Sequence, residues 1–357
     1  MKLGILGLQN SGKTTIFNAL TGQDIETASF TSGKIEPNLG LVNVVDARIT
    51  KLSEIYNPQK TIYANIEYID FAGLSGNESG GFPSNLLALL KTTDAIVLVV
   101  RNFEDEIISG VLGVPDVLGD IEKIKSELII SDLIIAEKRL QNIELSQKRG
   151  IKDQSLLIEK NAIIKILDGL NSEIPVRKLE FSKEEKKAIK GFQFITQKPI
   201  LVIVNSDETN FGNNGNLLKE IEKQSKVAEF AGNFEMELNN LSNEDAKEFM
   251  SDIGISESAQ NRITKLSYEL LGYISFFTVG TDEVRAWTIQ NGDNAVDAAG
   301  TIHSDLARGF IRAECFSYED LVNIGDEKKI REKGLFRLEG KNYLLKDGDI
   351  LNIRFSV

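Results

Sequence analysis

The chain has 357 residues, with 53 acidic against 41 basic side chains and a formal net charge of −12. That length exceeds one ordinary domain and argues for two or three. The charge makes the chain a poor general nucleic-acid binder, because neutralising phosphate supplies most non-specific affinity, so any RNA contact needs a local basic face. The single cysteine, Cys315, cannot form an internal disulfide and reads as a packed small residue, which fits a reducing cytoplasm. The single histidine, His303, argues against a His-based metal site or triad. No apolar run approaches the roughly 18 residues of a membrane helix, so no membrane partner is expected. A cleaved signal is not expected either, since its removal would destroy the first motif.

That motif opens the chain. The apolar run Leu3-Gly4-Ile5-Leu6 predicts a buried strand, and Thr15-Ile16-Phe17-Asn18-Ala19-Leu20 predicts a helix ending at Gly22. Between them Gly7-Leu8-Gln9-Asn10-Ser11-Gly12-Lys13-Thr14 has the spacing G-x-x-x-x-G-K-S/T of a phosphate-binding loop. Glycines at the fixed positions let successive N–H groups point at phosphate oxygens, and the helix N-terminus adds partial positive charge. Lys13 supplies a full charge, and the Thr14 hydroxyl is placed to ligate Mg²⁺. The candidate nucleotide contacts are Asn10, Ser11, Gly12, Lys13, Thr14 and Thr15.

Residues 27–33 are rich in Thr, Ser and Gly, and Leu41-Val42 with Val44-Val45 predict a strand after the turn residues Pro37 and Asn38. A loop and strand at this point are where nucleotide hydrolases keep their first switch. Residues 62–74 predict a second strand ending in Asp70-x-x-Gly73. In that position an Asp holds Mg²⁺ and a glycine N–H meets the γ-phosphate, so Asp70 is a candidate metal ligand and Gly73, with Lys13, a candidate catalytic group. Residues 74–81 are polar and glycine-rich, as a second switch would be. A helix over about 84–92 and a continuous apolar strand over 94–100 follow; the latter is typical of a parallel strand covered on both faces.

From 121 the pattern changes. Ile129, Leu133, Ala136, Leu140 and Ile143 follow a heptad seam, interrupted at Gly150 and resumed by Ile163, Leu167 and Leu170. This predicts an antiparallel helical hairpin; two ordinary surface helices fit the same pattern. Residues 121–190 hold 15 Lys/Arg against 12 Asp/Glu, about +3 in an acidic chain, which makes this the best candidate for an RNA contact; a solvated helical surface of mixed charge fits the same balance at least as well. Pro199 to Asn205 predicts a further core strand, which makes the hairpin an insertion. Asn205 and Glu208 then lie beyond a strand's carboxyl end, where ligands of open α/β sheets bind. Val227 to Ala231 predicts the last strand, with helices to about Phe276. Short strands follow at 284–289, 309–314, 343–345 and 350–355, a separate small α+β module.

These motifs resemble the YchF group of Obg-related translational GTPases/ATPases along the full length. The resemblance rests on Gly7 to Thr14, Ile35-Glu36-Pro37-Asn38, Asp70 to Leu74 and Asn205-x-x-Glu208. It extends through Glu283-Val284-Arg285-Ala286-Trp287-Thr288, Gly309-Phe310-Ile311-Arg312-Ala313-Glu314 and Tyr318-Glu319-Asp320. It implies an α/β fold: a P-loop NTPase core over 1–120 and 196–276, an inserted antiparallel helical (coiled-coil) arm over 121–195, and a C-terminal ubiquitin-like β-grasp (TGS) domain over 277–357. It further implies Mg²⁺-dependent hydrolysis of ATP, commonly in preference to GTP. The implied partner is the ribosome, with an rRNA contact through the arm or the TGS domain, and a monomer is expected. Asn10 matches the loop Asn by which some related enzymes hold K⁺.

The residues add their own constraints. Ordinary GTPases read guanine with N-K-x-D; here Glu208 replaces the Asp and Ser206 the Lys whose stem covers the base, so guanine selection is relaxed. Adenine offers an acceptor where a carboxylate would repel, so only the resemblance points to ATP. Leu74 stands where Ras-like enzymes place a water-orienting Gln, which predicts slow turnover. Lys34 replaces the family's Thr, residues 105–116 lack the His of some members, and Ala231-Gly232 replaces Ser-Ala in the last base-binding loop. A nucleotide-gated ribosome or RNA binder with little hydrolysis is the alternative these departures favour. An RNA-modifying enzyme lacks any further acid–base or metal constellation.

Overall fold

The apolar run after Met1 forms strand β1 (Lys2–Gly7) in a computed structural model that describes residues 1–25, 37–71, 82–151, 153–252 and 257–356. The glycine loop leads into α1 (Lys13–Thr21). Then come β2 (Asn38–Asn43), α2 (Ala47–Tyr56), β3 (Lys60–Ile62), β4 (Asn65–Asp70), α3 (Ser84–Lys91) and β5 (Ala95–Asn102). The helices α4 (Glu106–Leu112), α5 (Val117–Lys148), α6 (Gln154–Asn171) and α7 (Lys183–Ile189) precede β6 (Ile200–Ser206), α8 (Gly215–Glu222) and β7 (Lys226–Ala231). Next are α9 (Gly232–Asn240), α10 (Asn243–Asp252) and α11 (Ala259–Leu271). The chain closes with β8 (Tyr273–Thr278), β9 (Glu283–Gln290), α12 (Ala295–Ile302), α13 (Ser304–Arg308), β10 (Phe310–Ser317), α14 (Tyr318–Ile324), α15 (Glu327–Glu332), β11 (Arg337–Glu339) and β12 (Asp349–Phe355).

These elements form two compact units: Met1–Gly40 with Glu67–Ala259, and Leu41–Ile66 with Gln260–Val357. The first is built on a sheet of order β2-β4-β1-β5-β6-β7. β4, β1, β5, β6 and β7 pair in parallel, each with the next. β5 and β6 are buried almost end to end, which is why their sequences are continuous apolar runs rather than alternating ones.

The heptad seam takes its expected place, but it shares its helix with the sheet. In α5 the first apolar positions, Val117, Ile121, Ile124 and Leu128, pack in the sheet's core beside Ile96, Leu98, Val202 and Val204. Only from Ile129 onward does the helix turn its seam to a second core, formed with Ala162, Ile163, Ile166 and Leu170 of α6 and with Val176, Ile189 and Phe194. The expected start of the insertion at 121 thus falls inside turns that belong to the sheet. Asp132 pins the junction: fully buried, it accepts hydrogen bonds from the Ile195 N–H at 3.0 Å and the Thr196 N–H at 2.7 Å. Burial pushes its carboxyl above the usual range, with those two bonds opposing.

The second unit is a sheet of order β11-β10-β12-β8-β9-β3 around Phe276, Ile289, Ala298, Ala299, Ala313 and Leu351. Three features differ from the sequence expectation. The helical stretch expected to reach Phe276 ends at Leu271, where Gly272 takes a left-handed φ of 65° and the strand begins. Residues 343–345 are not a strand; Leu344 makes only an isolated bridge with Asn294. Most consequentially, residues 41–66, assigned by sequence to the nucleotide domain, pack in this unit. β3 pairs in parallel with β9, Lys60 opposite Glu283, and Arg48 on α2 binds Asp46 and Asp347 while its guanidinium lies over Phe277. Cys315 is packed as expected, and burial raises its thiol to about 12.

Candidate functional site

The phosphate-loop glycines are dictated by their surroundings. A Cβ on Gly7 would come within 2.4 Å of the Val99 carbonyl oxygen, so no side chain fits between the loop and β5. Gly12 has φ +86°, and its Cβ would lie 2.2 Å from Asn205 Nδ2. Asn10 also adopts a left-handed φ, 57°, which asparagine tolerates better than most residues, and its side chain is exposed. Alternating hands along the loop turn successive N–H groups inward, the concavity that receives anions.

Around this loop the charged and polar residues converge. Lys13, the first residue of α1, is buried and donates from Nζ to the Leu8 carbonyl at 2.7 Å. Burial pulls its ammonium down to about 8, with the Asp70 carboxylate opposing. The Thr14 hydroxyl donates to Asp70 Oδ2 at 2.9 Å, and Asp70 at the end of β4 is 0% exposed. The hydroxyl and carboxylate oxygens expected to be metal ligands are therefore adjacent, and hard oxygen donors suit Mg²⁺. Among the described residues no group of three or more His, Cys, Asp or Glu could hold a metal by itself, so the nucleotide and water would complete such a shell. Asn38 also approaches Asp70 Oδ2, at 3.5 Å, a neighbour the sequence placed only in a turn.

Asn205 lies at the end of β6, as read. Its amide donates to the Ser11 carbonyl at 3.1 Å and is buried, so it braces the phosphate loop. Gly232, the residue after Ala231, lies close to both Thr15 and Asn205: its Cβ would meet Thr15 Cγ2 at 3.0 Å and Asn205 Oδ1 at 3.3 Å. Asn10 to Thr15, Asp70, Asn205 and Ala231 thus surround one end of the parallel sheet. Glu208 follows on the adjoining loop, with an exposed side chain. Gly73, Leu74 and Lys34 lie outside the described residues.

Ser206 departs from what its position suggests. Strand alternation sends it to the face opposite Asn205, where its hydroxyl donates to Glu229 Oε1 at 2.8 Å and accepts from Asn102 at 3.0 Å. It faces a buried network, not the phosphate-loop side. Asn102 and Glu229 were missed as site neighbours. The available signal was a glutamate inside the apolar strand sequence Val227-Ala228-Glu229-Phe230-Ala231.

Comparison with known proteins agrees with this arrangement. Residues 2–138 match the family model of 50S ribosome-binding GTPases, and residues 273–356 match that of the YchF-GTPase C-terminal region, a protein of unknown function. The chain is 39% identical over 363 residues to the ribosome-binding ATPase YchF of Bacillus subtilis, covering 99% of both chains. It is 40% identical over 362 residues to the protein of that name in Escherichia coli O157:H7, covering 100% of this chain and 99% of the relative. The solved structure of the Schizosaccharomyces pombe YchF GTPase superposes with a TM-score of 0.87 at 32% identity, covering 99% of this chain and 97% of that one. With its phosphate loop, its parallel sheet and its C-terminal region all matched at this level, the chain belongs to the YchF family.

Proposed function

We propose that the chain is a ribosome-associated, Mg²⁺-dependent nucleoside triphosphatase that prefers ATP. The observation that carries this reading is the buried convergence of Lys13, Thr14 and Asp70 at a glycine loop opening a helix. Loop N–H groups and the Lys13 ammonium hold the phosphates. A polyanion beside Lys13 favours its charged form, opposing the burial that pulls its pKa down. Thr14 and Asp70 would hold the Mg²⁺, which when bound neutralises charge on the phosphates. Asn205, Glu208 and Ala231 form the base side, and Gly73 supplies an N–H toward the terminal phosphate. Asn10 is the position from which K⁺ would be held.

The relatives, named as ribosome-binding ATPases, support ATP and the ribosome as ligand and partner. In this reading the α5–α6 pair is a projecting arm, residues 277–357 a TGS-type module, and one or both touch rRNA. The protein works as a cytoplasmic monomer that regulates translation. Among the described residues no helix is long and apolar enough to cross a membrane. Leu74 favours a second reading, nucleotide-gated ribosome binding with little hydrolysis, because leucine cannot orient water. Single-turnover hydrolysis of ATP and GTP, with and without ribosomes, tests both. Cleavage of ATP above the buffer rate supports the hydrolase; tight ATP binding without cleavage in either condition supports the gate.

A further inference from the structure

The loop between β6 and α8 carries Glu208, and its anchoring is unusual. Asp207 organises the first half: its carboxylate accepts from Thr209 Oγ1 at 2.6 Å, the Asn210 N–H at 2.8 Å and Asn210 Nδ2 at 2.9 Å. These bonds fold the loop on itself, and the Glu104 N–H just beyond β5 ties the same carboxylate to the neighbouring strand's end. A second attachment comes from β7. Glu229, 8% exposed, accepts from the Ser206 hydroxyl at 2.8 Å through Oε1 and from the Gly212 N–H at 3.0 Å through Oε2. Asn214 donates to the same Oε1 and, at 3.3 Å, to the Ser206 oxygen. One carboxylate therefore clamps the start and the end of the loop together.

We propose that Glu229 is a positioning residue for base recognition: it sets where the 207–214 loop, and Glu208 on it, stands relative to the phosphate loop. This rests on the nucleotide-binding reading above. The register is transmitted through two consecutive residues of β6. Asn205 reaches one face and binds the Ser11 carbonyl; Ser206 reaches the other and binds Glu229. The base side is thus referenced to the phosphate side from below and to β7 from above. An acceptor-only group suits this position, because Ser206, Gly212 and Asn214 all present donors to it. A glutamine of the same shape would turn its amide N–H₂ toward one of those donors and release one end of the loop.

The test separates base from phosphate. Calorimetry with Mg²⁺ is run on unaltered protein and Glu229→Gln, using a non-hydrolysable ATP analogue, its GTP counterpart and inorganic tripolyphosphate. The substitution is expected to weaken the ATP analogue about tenfold and to bring the ATP-to-GTP ratio closer to one, with tripolyphosphate affinity unchanged within about twofold. Asn214→Ala, which removes one donor and leaves the carboxylate, is expected to move the same ratio by about threefold and serves if Glu229→Gln does not fold. Equal losses for ATP and tripolyphosphate would overturn the proposal, as would no change in either ligand. If unaltered protein binds neither ligand, the nucleotide reading itself fails.

Discussion

The contact between Gly12 and Asn205 offers a direct measure of how tightly the base side and phosphate side are joined. Gly12→Ala imposes two costs. The left-handed backbone costs a non-glycine residue roughly 1–2 kcal/mol. The new Cβ, 2.2 Å from Asn205 Nδ2, displaces an amide that braces the Ser11 carbonyl, and that bond is worth about 1 kcal/mol. Together these are about 2–3 kcal/mol, a loss of roughly 30- to 150-fold in affinity for a non-hydrolysable ATP analogue. In an Asn205→Ala background the collision disappears, and Gly12→Ala should cost only its backbone term, about fivefold to thirtyfold. Calorimetry on the four proteins of this cycle gives a coupling energy of about 1 kcal/mol. Costs that add to within about 0.3 kcal/mol would refute the reasoning, because Asn205 would then not support the loop.

Three further outcomes are expected. Lys13→Ala removes measurable triphosphate binding by calorimetry while the thermal midpoint is kept or rises, since a buried ammonium whose pKa is lowered to about 8 destabilises the ligand-free fold. Asp132→Ala, which orphans two buried N–H groups, lowers urea-unfolding stability by about 3 kcal/mol, and Asp132→Asn by about half that. Because the folded carboxyl titrates above its ordinary 3.8, its contribution is present at acid pH and declines as pH rises through the raised value; Asp132→Asn should lack that slope. Shortening the α5–α6 pair, with a Gly-Ser turn replacing residues 140–158 where Arg139 meets Glu159, leaves Leu128 and Asp132 in place. It should reduce ribosome co-sedimentation while ATP affinity stays within about twofold; equal retention on ribosomes would move the contact elsewhere on the protein.

The parts of the fold legible in the sequence were those written by local rules. Fixed glycine spacing, continuous apolar runs and a heptad seam gave the phosphate loop, the parallel strands and the paired helices. Three things escaped for a common reason, that long-range partners decided them. β3 is three residues of mixed polarity whose strand character comes from pairing with β9. Asp132 sits inside an apolar helix pattern because its partners are backbone N–H groups more than sixty positions away, at 195 and 196. At the candidate site, residue types predicted Lys13, Thr14, Asp70 and Asn205. Strand phase alone would have sent Ser206 away from Asn205's face, but its partner Glu229 needed the order of β6 and β7.

The placement of residues 41–66 bears on how the polypeptide is made. Arg48 and its partner Asp347 are separated by 299 positions, and β3 waits for β9. At about 5–20 residues per second, a translating ribosome leaves this segment without its partners for roughly 15–60 seconds. During that interval Ile49 and Leu52, fully buried in the finished protein, have no core to enter. The C-terminal unit therefore cannot mature as a cassette added to a completed N-terminal half. Cutting the chain at 272 would strand an amphipathic helix, because strands made much later complete a segment made much earlier.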